Sequence, residues 1–170
     1  MARSPAAARP ALVDHPLLTT AGLFAEAHAG LAQVVEPQIE AASGLTTQWF
    51  ELLIRLLRTP GHRLRMSDLA AQSTLSASGL TRAIDRLEAA GLVERQACPT
   101  DRRSTYAVLT DEGRHRISAA LQVHVDQLEL LFGGAFTAAE LTTFTDLVRK
   151  LRDAVNPCAA AASEPGGLPD

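Results

Sequence analysis

Apolar residues recur at helical spacing along most of the chain, and two short strand-like runs interrupt them near residue 100. Between Pro16 and Ala42, the positions Leu23, Phe24, Ala27, Leu31, Val34 and Val35 form one helical stripe, so a first helix is expected there. Pro37 should kink or break it, because proline brings no amide donor and its ring crowds the preceding turn. Gly44 supplies a stop. A second helix is expected over Thr47–Arg58, with Thr46 as N-cap and Leu45 and Phe50 as a hydrophobic staple. Phe50, Leu53, Ile54 and Leu57 share one of its faces, and Pro60-Gly61 ends it.

The next stretch changes rhythm. Ser67 opens a short third helix over residues 68–72, and Ser73-Thr74-Leu75 makes a brief turn. Ser76 caps a fourth helix, in which Leu80, Ile84 and Leu87 mark the buried stripe and Gly91 stands where a left-handed C-cap belongs. Residues 92–97 and 104–109, richer in Val and Tyr, read as a hairpin with the polar tip Cys98-Pro99-Thr100-Asp101-Arg102-Arg103. Thr110 starts a long helix expected to end near Leu131, with Gly133-Gly134 as its breaker. Thr137 and Glu140 form a capping box for a last helix that runs to about Val155. Residues 1–13 and 156–170 lack periodicity and read as loose tails, which leaves a single domain over residues 14–155.

Composition narrows the classes. No apolar run reaches the roughly 18–20 residues of a membrane span, and the N-terminal stretch lacks the apolar block of a secretory signal. The two cysteines, Cys98 and Cys158, make no disulfide framework, so the cytoplasm is the expected location. There is no Gly-rich phosphate loop, no nucleophile elbow and no plausible triad. His115 and His124 are nine residues apart, unlike the i, i+4 spacing of a helical metal pair. Neither an enzyme, a metal site nor a cofactor is expected. The net charge is −3, yet residues 55–116 hold eleven Arg against seven acidic residues, a local excess of +4 where the remainder carries −7. That basic middle suits a polyanion, although a solvated face would carry the same charges.

Helix, short turn, second helix and hairpin is the order of a winged helix-turn-helix, mainly α with a small β-hairpin wing. A helix of about three turns fits the major groove, where its N-terminal residues reach base edges. Here those positions are small or polar: Ser76, Ala77, Ser78 and Gly79, then Thr81 and Arg82, with Asp85 and Arg86 one turn on. They lie away from the apolar stripe. Arg102 and Arg103 at the tip would enter the minor groove or clamp phosphate, with Asp101 orienting a neighbouring Arg. For Arg82 and Arg86 the competing reading is a surface ion pair with Asp85 or Glu88. For Arg95 a structural role and a DNA contact stand level, and Arg63 and Arg65, ahead of the third helix, read as a solvated edge, with phosphate contact as the alternative. Cys98 lies among arginines that would lower its pKa, which leaves a redox role open.

Residues Leu69 to Thr110 resemble the reading head of the multiple-antibiotic-resistance regulator (MarR) family. The family's helix signature is similar to Ser78-Gly79-Leu80-Thr81-Arg82 followed by the run from Asp85 to Arg95. Its wing signature, Asp-x-Arg and then Leu-Thr, matches Asp101-Arg102-Arg103 and Leu109-Thr110. The resemblance spans roughly residues 16–155. It implies a transcription regulator on double-stranded DNA and a homodimer. In that dimer the helices of residues 14–43 and 111–155 pack across a two-fold axis, flanking the winged helix-turn-helix of residues 45–110; for the apolar face of the last helix (Leu141, Phe144, Leu147, Val148 and Leu151) packing within the chain is the alternative. It further implies a near-palindromic operator and a small anionic or aromatic effector. The candidate effector lining is Phe24, His28, Trp49, Phe50 and Leu53, with His115 or Arg114 as polar partner; an ordinary core seam is the alternative. A winged helix kept only for protein contacts is the rival reading of the whole chain.

Overall fold

The computed structural model describes residues 12–98, 101 and 104–156. The expectations placed on Arg102, Arg103, Cys158 and most of both tails lie outside the described residues. The chain divides into two compact units between Pro37 and Gln38. The first holds a 3-10 turn, Leu12–Asp14, within the stretch expected to be tail, and most of helix α1 (Pro16–Ser43). Pro37 does not break α1, which runs through it. The missing amide leaves the Gln33 carbonyl without its helical partner, and one lost bond does not stop a helix that propagates on both sides. The stop falls at Gly44, whose φ of +66° turns the chain out of the helix.

The second unit continues with α2 (Thr47–Arg58), β1 (Arg63–Arg65), α3 (Met66–Gln72), α4 (Ala77–Ala89), β2 (Val93–Ala97), β3 (Thr105–Leu109), α5 (Asp111–Ala135) and α6 (Ala138–Val155). Thr46, Ser76, Thr110 and Thr137 cap α2, α4, α5 and α6, each accepting a backbone N–H from three residues on. These bonds satisfy amides that a helix start would otherwise orphan. At Thr137 the Glu140 carboxylate completes the box by accepting the Thr137 N–H at 2.9 Å, and that bond holds the Glu140 carboxyl below its usual pKa.

Two features depart from the sequence pattern. Residues 63–65 form a third strand, antiparallel to β3, in a sheet of order β1-β3-β2. Three residues with only Leu64 buried are too few to show a two-residue period; the edge of β3 makes the strand. Consequently α3 begins at Met66, ahead of Ser67. Helix α5 continues through Gly133 and Gly134 to Ala135. Each glycine costs a helix about 0.5–1 kcal/mol relative to alanine, too little by itself to end a helix already propagating.

The core of this unit is aliphatic. Leu52, Leu53 and Leu56 of α2, Leu64, Leu69, then Leu80, Ile84 and Leu87 of α4, Leu92, Val93 and Ile117 of α5 are almost wholly buried. Each such side chain contributes about 1.5–3 kcal/mol by leaving water. One junction fixes the geometry around α4. Gly91, at φ +71°, lets its own N–H and that of Leu92 bond back to the Glu88 and Leu87 carbonyls, both at 2.9 Å. Thr110 then closes on the same turn. Its N–H donates to the Leu92 carbonyl at 3.1 Å, and its hydroxyl donates to the Gly91 carbonyl at 2.7 Å. Gly113, buried in α5, fits because it has no Cβ; one there would overlap the Leu92 carbonyl oxygen and lie 2.8 Å from Leu109 Cδ1.

Gly113→Ala should therefore lower stability by at least about 1–3 kcal/mol through overpacking against backbone. Gly134→Ala has nothing within 4 Å of the added carbon and should raise stability by about 0.5–1 kcal/mol. Urea unfolding of the two variants checks both signs.

Candidate nucleic-acid interface

Helix α4 buries Leu80, Ala83, Ile84 and Leu87. That leaves Ala77, Ser78, Thr81, Arg82, Asp85 and Arg86 exposed, with Ser76 exposed just before the helix. The residues expected to read DNA on this helix thus share one polar surface, with half-buried Gly79 beneath. Ser76 Oγ accepts the Gly79 N–H at 3.1 Å and lies 3.3 Å from Ser78 Oγ. Thr81 donates its hydroxyl hydrogen to the Ala77 carbonyl at 3.0 Å, so its oxygen is left to accept.

The ion pairs separate the arginines into two groups. Among the described residues, Arg55, Arg95, Arg114, Arg116, Arg149 and Arg152 pair with carboxylates. Arg58, Arg63, Arg65, Arg82 and Arg86 do not. The acids proposed as partners for Arg82 and Arg86 are engaged by Arg95 instead. Arg95 reaches Asp85 Oδ1 with Nη2 at 2.7 Å and Glu88 Oε2 with Nη1 at 2.5 Å, and its backbone N–H donates to Glu88 Oε1 at 3.2 Å. Burial works against the Arg95 charge, and hydrogen bonds to Asp85 and Glu88 more than offset it, so its pKa stands above the usual value. Arg95 is thereby a strut between α4 and β2.

The sheet adds a cluster that the sequence pattern treats as a bare edge. Alternation places Arg63 and Arg65 on the same sheet face as their register partners Val108 and Tyr106, while Leu64 and Ala107 are buried on the other. The Arg63 and Arg65 guanidinium carbons lie 5.1 Å and 5.8 Å from the Tyr106 ring centre. Arg65 Nε donates to the Tyr106 hydroxyl at 3.2 Å, and that bond raises the Arg65 pKa. At the hairpin tip Asp101 accepts from Ser104 Oγ at 2.6 Å. Cys98 is buried, with Sγ 3.8 Å from the Tyr106 hydroxyl, an environment unlike that of an accessible thiolate.

The candidate effector residues are placed differently from one another. Phe24 and His28 are exposed on α1, and Trp49 is half-buried. Phe50 and Leu53 belong to the core at 5% and 0% exposure, so they do not line an open pocket. His115 is exposed on α5, and the exposed Arg114 pairs with Asp111. The histidine that meets Phe50 is His124, edge-on at 4.9 Å between ring centres. Gly113, Ile117 and Ala120 are the buried positions of α5, and the next step of that stripe is residue 124. Following the stripe, rather than looking for histidines near its start, would have found it. Its Nδ1 is buried without a hydrogen-bond partner, and burial pushes its pKa down. Among the described residues no group of three or more His, Cys, Asp or Glu is placed to hold a metal. Nor is any helix there long and apolar enough to cross a membrane.

A short helix, a turn, a second helix with a polar face and a small antiparallel sheet define a winged helix-turn-helix, a DNA-binding class. The MarR family model matches residues 43–104. The regulator FarR of Neisseria gonorrhoeae is 31% identical over 137 residues, spanning 77% of this chain and 89% of its own. YdgJ of Bacillus subtilis, an HTH-type transcriptional regulator, is 28% identical over 127 residues, or 75% of this chain and 76% of its own. The crystal structure of Sco3205, a MarR family regulator from Streptomyces coelicolor in complex with DNA, superposes with a TM-score of 0.76. It is 28% identical and covers 88% of this chain and 92% of its own. The chain belongs to the MarR family of DNA-binding transcription regulators, which are not enzymes.

Because Arg95 holds two carboxylates at a partly exposed site, Arg95→Ala should destabilise the fold by about 1–2 kcal/mol, measured by urea unfolding. For His124 the folded pKa lies below the unfolded value. Destabilisation therefore begins as pH falls below about 6.5 and is complete once pH passes the lowered value. His124→Leu should flatten the loss of stability on going from pH 7 to pH 5.

Proposed function

We propose that the chain is a homodimeric repressor that occupies a near-palindromic operator and leaves it when a small anionic or aromatic effector binds. The observation that supports DNA reading most directly is the pair Arg82 and Arg86, exposed on α4 without a carboxylate while Arg95 absorbs the nearby acids. Ser76, Ala77, Ser78, Gly79 and Thr81 bring the start of α4 close to base edges, and the arginines take phosphate or guanine. Asp101 braces the hairpin turn, and Arg102 and Arg103 reach the minor groove beside it.

Pairing is supported by the apolar surface of α5 and α6. Leu130, Phe144, Leu147, Leu151 and Val155 are exposed, beside a groove of about 550 Å³ lined by Val125, Leu128, Phe132, Leu141, Phe144 and Val148. A two-fold dimer built there presents two copies of α4 to successive major grooves, about 34–36 Å apart. The buried His124 Nδ1 supports the effector: an imidazole nitrogen without a hydrogen-bond partner suits a phenol or a carboxylic acid. Weakening the operator complex a hundredfold requires a coupling of about 2.7 kcal/mol, within the reach of one small ligand.

Binding to fragments of the source genome, followed against salt concentration, tests this reading. Specific complexes should weaken with a log–log slope of about −0.9 per neutralised phosphate. Arg82→Ala and Arg86→Ala should each cost about 1–3 kcal/mol of affinity where the arginine meets a base, and Arg103→Glu should abolish specific binding. A protein-contact module would give no specific complex, and full affinity in Arg103→Glu would remove the wing from the interface.

A further inference from the structure

The arginines without acidic partners are not spread over the surface. Among the described residues all five lie between Arg58 and Arg86, and only two of them are on α4. Two others, Arg63 and Arg65, stand side by side on β1. Their charges repel, and a common solution would be a nearby carboxylate. Glu94 and Gln96 of β2 share this sheet face, opposite Val108 and Tyr106, but Glu94 accepts from Gln96 Nε2 at 2.7 Å and makes no ion pair with either arginine. Asp68 of α3 accepts from Ser67 Oγ at 3.2 Å and acts on Arg65 through its charge without forming an ion pair. What holds the two cations together is Tyr106. Its ring lies beneath both guanidinium groups, and its hydroxyl accepts the Nε hydrogen of Arg65 beside a weak contact from Cys98 Sγ. Both terminal nitrogens of Arg65 and the whole guanidinium fork of Arg63 keep their donors for something else.

We propose that Arg63 and Arg65, set on Tyr106, are a second phosphate clamp that grips the DNA backbone beside the wing. This inference rests on the DNA-reading function proposed above. Placement favours it. β3 is one leg of the wing, Arg65 stands opposite Tyr106 on it, and the hairpin tip ends three residues before Tyr106. A phosphodiester meets paired guanidinium donors through two oxygens, which a lone ammonium could not match. The aromatic seat fixes the forks in advance, so fewer rotamers are lost on binding. The contact carries no base information; it sets register and adds salt-dependent affinity.

Salt titration of operator binding by the full-length double variant Arg63→Gln/Arg65→Gln tests the clamp, with thermal melts confirming that the variant is folded. The log–log slope should flatten by about 0.9 for each phosphate released. Affinities for operator and for unrelated DNA should fall by the same factor. Tyr106→Phe, which keeps the ring and loses the hydroxyl, should weaken binding without changing the slope. Arg58→Gln, at the end of α2, should leave slope and affinity as they are. An unchanged slope in the double variant, alongside a steep slope in the unaltered protein, overturns the clamp and leaves the DNA-reading function standing. Equal flattening in Arg58→Gln also overturns it, since the effect would then be general charge. If the double variant instead loses only a response to inorganic phosphate, the pair is a free-anion site and the proposal fails. Absence of DNA binding by the unaltered protein overturns both readings.

Discussion

The placement of α4 depends on a few backbone hydrogen bonds at the turn where three elements meet. Gly91 ends the helix in a left-handed conformation, Leu92 leads into β2, and Thr110 returns from β3 to bond to both of their carbonyls. Gly113 lets α5 close onto the same turn. Neutral backbone bonds in a part-buried site are insensitive to salt, whereas the contacts a DNA reader makes are strongly salt-dependent. The orientation of α4 is thus set by one kind of force and, in the proposed function, its affinity for DNA by another.

A division of labour among the arginines follows the same logic. Those paired with acids, Arg95 above all, serve the structure. Arg95 spans α4 and β2 and, by occupying Asp85 and Glu88, removes two negative charges from competition for Arg82 and Arg86. A net charge of −3 is then no obstacle to a polyanion partner, since the acids around the reading face are already neutralised locally. The Tyr106 cluster extends the rule from the helix to the sheet.

Much of this was legible in the sequence because the signals are local. Thr46, Ser76, Thr110 and Thr137 cap helices by side-chain chemistry that needs no knowledge of the fold, and the Gly91 stop follows from left-handed geometry. The polar face of α4 follows from the spacing of Leu80, Ile84 and Leu87. What the sequence hid depends on tertiary context. Strand β1 has three residues and exists because β3 offers an edge. Gly133 and Gly134 read as a breaker, yet the helix continues through both. Arg95 and Asp85 are ten positions apart, and only the return of β2 alongside α4 joins them. The stripe of Gly113, Ile117 and Ala120 leads to His124, whereas residue type alone does not set it apart from His115.

Methylation interference on the bound operator probes the central claim most directly, because guanine N7 faces the major groove. If α4 reads that groove as a pair, methylated guanines should block binding in two clusters about one helical turn apart. Binding that tolerates methylation at every guanine of the protected site would contradict the account.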